Sequence, residues 1–153
     1  MKHVLLALIL ISCSACSGSE PETLVKGGYS EAEMADAIAR AKSEVDTFIA
    51  ILENGDGSDF AVKVPIRDGD ETEHFWLTDI SYRDGEFEGK IGNDPGVVTN
   101  VSFGQTIRIR KEEISDWLFM RGGRMHGNYT LRPLLVTMPQ EDADQYRSLL
   151  AEP

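Results

Sequence analysis

The sequence predicts an α+β fold: a long N-terminal helix packed on a small, twisted antiparallel sheet, with a short C-terminal helix after it. Three observations carry this. Apolar residues between Ser30 and Glu53 recur at alternating spacings of four and three, which places them on one face of a helix. From Phe60 the period becomes two, as in strands, and turn signals cut that stretch into hairpins. Pro139 then opens Gln140 to Leu150 as a final helix, with proline at the tolerated first position.

In the first helix the stripe is Met34, Ile38, Ala41, Val45, Phe48 and Leu52. Ser30 with Glu33 three residues on forms a capping box, and Asn54-Gly55 ends the element. The spacing predicts one continuous helix of about six turns. Phe60, Val62, Val64 and Ile66 then alternate with polar or small residues, and Pro65 argues for an edge strand. Asp68-Gly69-Asp70 is a turn. Phe75 to Tyr82 is a second strand, with Trp76, Thr78, Ile80 and Tyr82 on one face. Arg83-Asp84-Gly85 turns the chain into Glu86 to Gly92. Asn93-Asp94-Pro95-Gly96 is another turn. Gln105 to Arg110 is a further strand, and Lys111 to Met120 reads as a short helix around Ile114, Trp117 and Leu118.

Ahead of this lies a different kind of segment. Met1-Lys2-His3, an apolar run from Val4 to Ile11 and then small residues before a cysteine describe a bacterial secretory signal over residues 1–15. The run is too short to cross a membrane as a helix, which takes ~20 residues. Leu10-Ile11-Ser12-Cys13 looks like a lipobox, the site of diacylglycerol attachment and cleavage. Cys13 has the better residues upstream; Cys16 gives the more ordinary signal length and precedes Ser17-Gly18. Either can carry the lipid, and triacylation supplies enough buried methylene for stable anchoring. Residues 16–29, rich in Gly, Ser and Pro, read as a flexible tether, and 30–153 as a single domain. Neither Ser14 nor Ser17 is aspartate, which favours the outer membrane if the cell has two, with the domain facing the periplasm.

The 153 residues carry a net charge of −11, and loss of Lys2 with the signal leaves −12. An acidic body repels phosphate backbones and anionic headgroups, so nucleic acid is not an expected partner and membrane attachment falls to the lipid. Both cysteines lie in the signal region, which leaves no disulfide partner in the domain. About 125 residues remain after the tether, enough for one core.

Four ordered motifs carry a family likeness: Glu73-His74-Phe75-Trp76, Gly89-Lys90-Ile91-Gly92-Asn93-Asp94-Pro95, Ile114-Ser115-Asp116-Trp117 and Gly127-Asn128-Tyr129-Thr130-Leu131-Arg132. Together they make the segment from Phe60 to Leu135 resemble the YegJ-like family of uncharacterised bacterial proteins. The resemblance implies a shared fold over about half of the chain. It supplies no reaction, cofactor or catalytic residue.

Candidate chemistry is therefore read from the residues. Glu71, Glu73 and His74 invite a metal or acid–base reading, but a lone histidine beside carboxylates is poor zinc spacing and no His-Glu-x-x-His occurs. The expected state of His74 is solvated and partly packed, and no metal or other cofactor is expected. Ser102 and Ser115 lack a nucleophile elbow. Asp116 is expected to cap the Lys111–Met120 helix or hold an arginine such as Arg132. Trp76 and Trp117 are expected in the core.

Between Gln105 and Leu135 six basic residues, Arg108, Arg110, Lys111, Arg121, Arg124 and Arg132, face three acids, Glu112, Glu113 and Asp116. Glycines there let backbone approach a ligand, and arginine forks bind carboxylate or phosphate. Arg121-Gly122-Gly123-Arg124 is thus either an anion-binding loop or a flexible loop whose arginines pair with the protein's own acids. The expected ligand surface is Arg121, Arg124, His126, Tyr129 and Arg132, with Trp76 as a sixth member. The leading class is a non-enzymatic, lipid-anchored envelope protein that binds another envelope protein or an anionic ligand. The alternatives are a cell-wall or small-molecule hydrolase using His74, Glu73 or Asp116, and an inhibitor or immunity-type protein with a basic partner.

Overall fold

The computed structural model describes residues 27 to 152 together with the backbone of Val4–Ala7 and Leu24–Val25. Cys13 and Cys16, and most of the segment expected to be a tether, lie outside the described residues. Within the apolar run read as an export signal, Val4–Ala7 forms strand β1, and Leu24–Val25 forms β2. The domain continues with α1 (Glu31–Ser43), α2 (Val45–Asn54), β3 (Ser58–Asp68), β4 (Glu71–Arg83), β5 (Glu86–Ile91) and β6 (Thr106–Arg110). It ends with β7 (Asp116–Arg121), β8 (Arg124–Gly127), a 3-10 helix (Tyr129–Thr137) and α3 (Gln140–Leu149). The fold is α+β, and no described helix is long and apolar enough to cross a membrane.

Six strands form an antiparallel sheet in the order β6-β5-β4-β3-β7-β8. β1 runs parallel beside Thr72 to His74 of β4, and β2 pairs with β1. Only Lys111 to Ser115 link β6 to β7, which lies four strands away. At ~3.3–3.6 Å per residue that link reaches about 20 Å, against about 19 Å for four strand spacings. Part of the link is a 3-10 turn over Lys111–Glu113, which shortens it, so the sheet has to curl. The concave face holds Val62, Val64, Phe75, Leu77, Phe87, Ile91, Trp117 and Phe119, and Ala41, Val45, Phe48 and Ile49 fill it. On the convex face Ala61, Trp76 and Leu118 are covered by Leu131, Leu134, Ala143, Tyr146 and Met34. Both faces are dry.

Several expectations change against this frame. The long N-terminal helix is two helices. Glu44 leaves helical geometry at φ −102°, ψ 3°, and beside it the Ala41 carbonyl accepts Trp117 Nε1–H at 2.9 Å, so a side chain from the sheet pins the junction. Ser30 Oγ accepts from Glu33 N as a cap should. The helix expected over Lys111–Met120 is mostly strand β7. Asp116 to Phe119 are buried on alternating faces of a doubly covered sheet, and such a run has no period to read.

β3 is an interior strand, not an edge. Pro65 is tolerated because pairing with β7 has ended at Lys63↔Asp116, so no ladder donor is needed at residue 65. Trp76 and Tyr82 do not share a face. A bulge between Thr78 and Ser81, with Asp79 at φ 51°, reverses the alternation, and Ile80 and Tyr82 join the concave core. Asp84 (φ 53°) and Gly85 (φ 86°) make the expected tight turn.

Candidate ligand-binding site

The site begins with the β7–β8 hairpin. Gly122 (φ 59°) and Gly123 (φ 75°) form a two-residue turn, so Arg121-Gly122-Gly123-Arg124 is a tight reversal and not the loose loop considered from sequence. Phe119 and His126 are cross-strand partners and stack at 4.9 Å with planes 6° apart. Arg121 Nη1 donates to Asp56 at 2.7 Å, and its guanidinium lies 5.2 Å from the Phe119 ring. Burial followed by the charge of Arg121 keeps the His126 imidazole below its ordinary pKa, so it is neutral at pH 7.

Beyond the hairpin, Asn128 takes a left-handed conformation at φ 47° and the 3-10 helix starts. Its first N–H groups are held by Asp116, whose carboxylate accepts from Tyr129 N at 3.2 Å and from Thr130 N and Oγ1 at 2.8 and 2.6 Å. Asp116 thus caps this helix, not the one expected around Trp117, and it holds no arginine. The Tyr129 ring stands edge-on to Trp117 at 5.5 Å. Its hydroxyl donates to Glu44, the residue at the α1–α2 junction. Burial, reinforced by Glu44, pushes the phenol up to about 12. Arg40 packs its guanidinium 4.6 Å from the same ring while donating to Glu44 at 3.0 Å.

These placements bring Arg121, His126, Tyr129 and Arg132 around one cavity of about 170 Å³, with Glu44, Trp117 and Phe119 among its walls. Two of the six sequence candidates are not part of it. Arg124 turns to the Ser148 carbonyl at 3.0 Å. Trp76, 1% exposed, belongs to the convex core. Of the six basic residues between Gln105 and Leu135, Arg108, Arg110, Lys111 and Arg121 form ion pairs with Glu88, Glu113, Asp46 and Asp56. Arg132 does not. One of its terminal nitrogens donates to the Ala151 carbonyl at 2.9 Å, and its Nε is buried with no acceptor. A buried donor without a partner costs about 1–3 kcal/mol, which an ordered water or a small anion reaching Arg132 would recover. Tyr129 and Arg132 also line a second groove of about 430 Å³ between α1 and the 3-10 helix.

A second polar constellation is invisible in the sequence. Trp76, Lys63 and Asp116 are direct cross-strand neighbours on β4, β3 and β7. Strict alternation makes Lys63 look solvent-facing, yet it is 0% exposed because the 3-10 helix covers that face. Its ammonium donates to Thr130 Oγ1 at 2.8 Å and sits 4.7 Å from the Trp76 ring, so Thr130 relays between Lys63 and Asp116. Burial pushes Lys63 down to about 8, against the pull of Asp116, and raises the Asp116 pKa against the pull of Lys63.

Next to this layer His74, expected in solvent, is 5% exposed, with Nδ1 2.9 Å from Ser115 Oγ. Desolvation, then the charge of Lys63, pulls it down to about 3. Glu73, fully buried, accepts from the backbone N–H groups of Gly96, Val97 and Val98 at 2.9–3.2 Å and fastens that loop to β4. Among the described residues no group of three or more His, Cys, Asp or Glu is placed to hold a metal ion.

The chain belongs to the bacterial family described as "Uncharacterized protein conserved in bacteria (DUF2314)", which matches residues 31–150. Among curated proteins it is 51% identical to uncharacterized protein YegJ of Escherichia coli K12 over 151 residues, 98% of this chain and 99% of that one. It is 37% identical over 94 residues to a protein of Neisseria meningitidis serogroup B named for ankyrin repeats, a match covering 58% of this chain and 37% of that one. No solved structure matches it.

Proposed function

We propose that the protein is a lipid-anchored component of the bacterial envelope. In this reading its domain is a non-enzymatic binding module, and the cavity around Tyr129 and Arg132 receives an anionic group of an envelope protein or ligand. The observation that carries the reading is the convergence of Arg121, His126, Tyr129 and Arg132 on one cavity, where Arg132 keeps an Nε–H that no acceptor in the described residues meets. A guanidinium fork with a spare N–H fits carboxylate or phosphate oxygens. The apolar run from Val4 and the Leu10-Ile11-Ser12-Cys13 sequence support anchoring at Cys16 or Cys13 and export towards the periplasm.

The hydrolase alternative is less well supported. Glu73, His74 and Asp116 are each at most 5% exposed and each already bonded within the protein. None of the three lines a described cavity.

Substituting Arg121 and Arg132 together tests the surface. Capture of the partner from membranes should disappear while the circular dichroism and melting of the domain stay native. Unchanged capture would remove this surface from consideration.

A further inference from the structure

We propose that Arg132 takes a carboxylate side-on, through Nε–H and the adjacent terminal N–H together, and that the chain's own C-terminal end fills half of that site until the ligand displaces it. This rests on the reading of Arg132 as an anion-binding residue. It adds the geometry of the anion and what guards its place.

A guanidinium presents two parallel N–H groups along the edge that Nε shares with one terminal nitrogen, and a carboxylate meets both with its two oxygens. In Arg132 the terminal nitrogen of that edge, Nη2, donates to the Ala151 carbonyl at 2.9 Å, while Nε–H meets no acceptor. A carbonyl brings one oxygen to a place that suits two. A ligand that meets both nitrogens therefore has to take the position of the Ala151 carbonyl.

The end is tied lightly just where it would have to move. α3 closes at Leu149, and Leu150 is 5% exposed and packed in the convex core. Arg124 holds the last turn of α3 through the Ser148 carbonyl. These contacts anchor the chain up to Leu150. Beyond it, Ala151 is held by its N–H, which donates to the Met125 carbonyl at 2.8 Å, and by its own carbonyl on Arg132. Ala151 is partly buried and Glu152 is exposed.

Both residues line the cavity of about 170 Å³. Glu152 thus sets a carboxylate beside an arriving anion, and its departure with Ala151 removes that repulsion. Arg121, the other arginine of the cavity, is already paired with Asp56. Glu44 stays in the wall, which favours a singly charged carboxylate over a dianion.

The test uses full-length protein in detergent, with acetate as the probe and chloride at equal ionic strength as the control. The Arg132 Nε–H resonance, assigned by its loss in Arg132→Lys, reports the anion by NMR. Hydrogen exchange at the Ala151 amide reports the end. In the wild type acetate should move the Nε–H signal and speed exchange at Ala151 with one midpoint, and chloride should do neither. Two variants release the end in advance: deletion of residues 151–153, and Ala151→Pro, which removes the N–H that meets Met125. Leu150, at φ −62° and ψ 130°, already has the backbone that a following proline requires. Each variant should bind acetate about tenfold more tightly, because the end no longer competes. A chain end and an acidic side chain share this chemistry. N-acetylalanine and the α-amide of N-acetylaspartate, titrated in the same way, separate the two by which binds more tightly.

Acetate that moves Nε–H while exchange at Ala151 stays unchanged overturns the displacement and leaves Arg132 an anion-binding residue. Equal acetate affinity in the wild type and both variants does the same. An Nε–H that acetate moves in none of them, its donor met by water alone, overturns both readings.

Discussion

At the scale of single residues, the buried polar layer is where the chemistry departs from the pattern. Lys63 occupies an alternation position that a one-sided sheet would expose, and His74 one that the sequence leaves solvated. Lys63 is dry because a 3-10 helix that no periodicity announces lies over it, and His74 is buried with its Nδ1 against Ser115 Oγ. His74 yields a signed prediction. Its pKa is about 3 in the fold and about 6.5 in the unfolded chain, so below pH 6.5 the unfolded chain binds a proton that the native state refuses. Stability should fall as pH drops from 6.5 towards 3, by about 1.4 kcal/mol per unit for this one proton. His74→Gln should remove that part of the slope while changing little above pH 7.5, read by urea unfolding across pH. An unchanged slope would mean that His74 is protonated normally.

Asp116 carries a larger load, because it organises the first turn of the 3-10 helix and the Lys63–Thr130 relay. Asp116→Ala leaves the Lys63 ammonium buried without its carboxylate and should cost about 3–5 kcal/mol. Denaturant midpoints measure this directly. The sequence suggested that Asp116 caps a helix over Lys111–Met120 or holds an arginine such as Arg132; it instead caps the 3-10 helix that begins at Tyr129.

At the scale of elements, legibility followed solvent exposure. Elements with a wet side, such as α1, or with strong turn chemistry, such as Asp84-Gly85, could be read directly. β7 could not, because Asp116-Trp117-Leu118-Phe119 is buried on both faces and offers no contrast. The helix break at Glu44 also left no local signal, since its causes, Trp117 and Tyr129, come from distant strands and turns. The β8 end is set by a glycine. Gly127 has φ 72°, and a Cβ there would lie 2.3 Å from the Trp117 carbonyl oxygen and 2.5 Å from its ring. Gly127→Ala should therefore destabilise the domain by about 2–4 kcal/mol, since it combines left-handed backbone strain with overpacking. Because it displaces Trp117, a wall of the cavity, it should also blue- or red-shift the tryptophan emission. A native melting temperature would contradict the packing described for β8.

At the scale of the molecule, a curled sheet with a core on each face holds the fold, and Arg132, with a donor that no acceptor among the described residues meets, lines a cavity beside it. Net charge is legible in the sequence, and Arg121, His126, Tyr129 and Arg132 can be picked out there as candidates. Their convergence is not, because it depends on the 3-10 helix carrying Tyr129 and Arg132 back over β7. The anchoring proposal is checked by labelling cells with radioactive palmitate. Label should remain in the membrane fraction in wild type and in one of the two variants Cys13→Ala and Cys16→Ala, and vanish in the other. Label absent from the wild type would contradict lipidation.

The central claim is that the Arg132 cavity, not basic charge in general, engages an envelope partner. The most direct measurement is crosslinking capture from membranes with full-length, C-terminally tagged protein, comparing wild type, Arg132→Lys and Arg124→Gln by mass spectrometry. One saturable partner retained by wild type and Arg124→Gln but lost with Arg132→Lys is the predicted result. Equal capture by all three, or no enrichment from wild type confirmed in the membrane fraction, would contradict it.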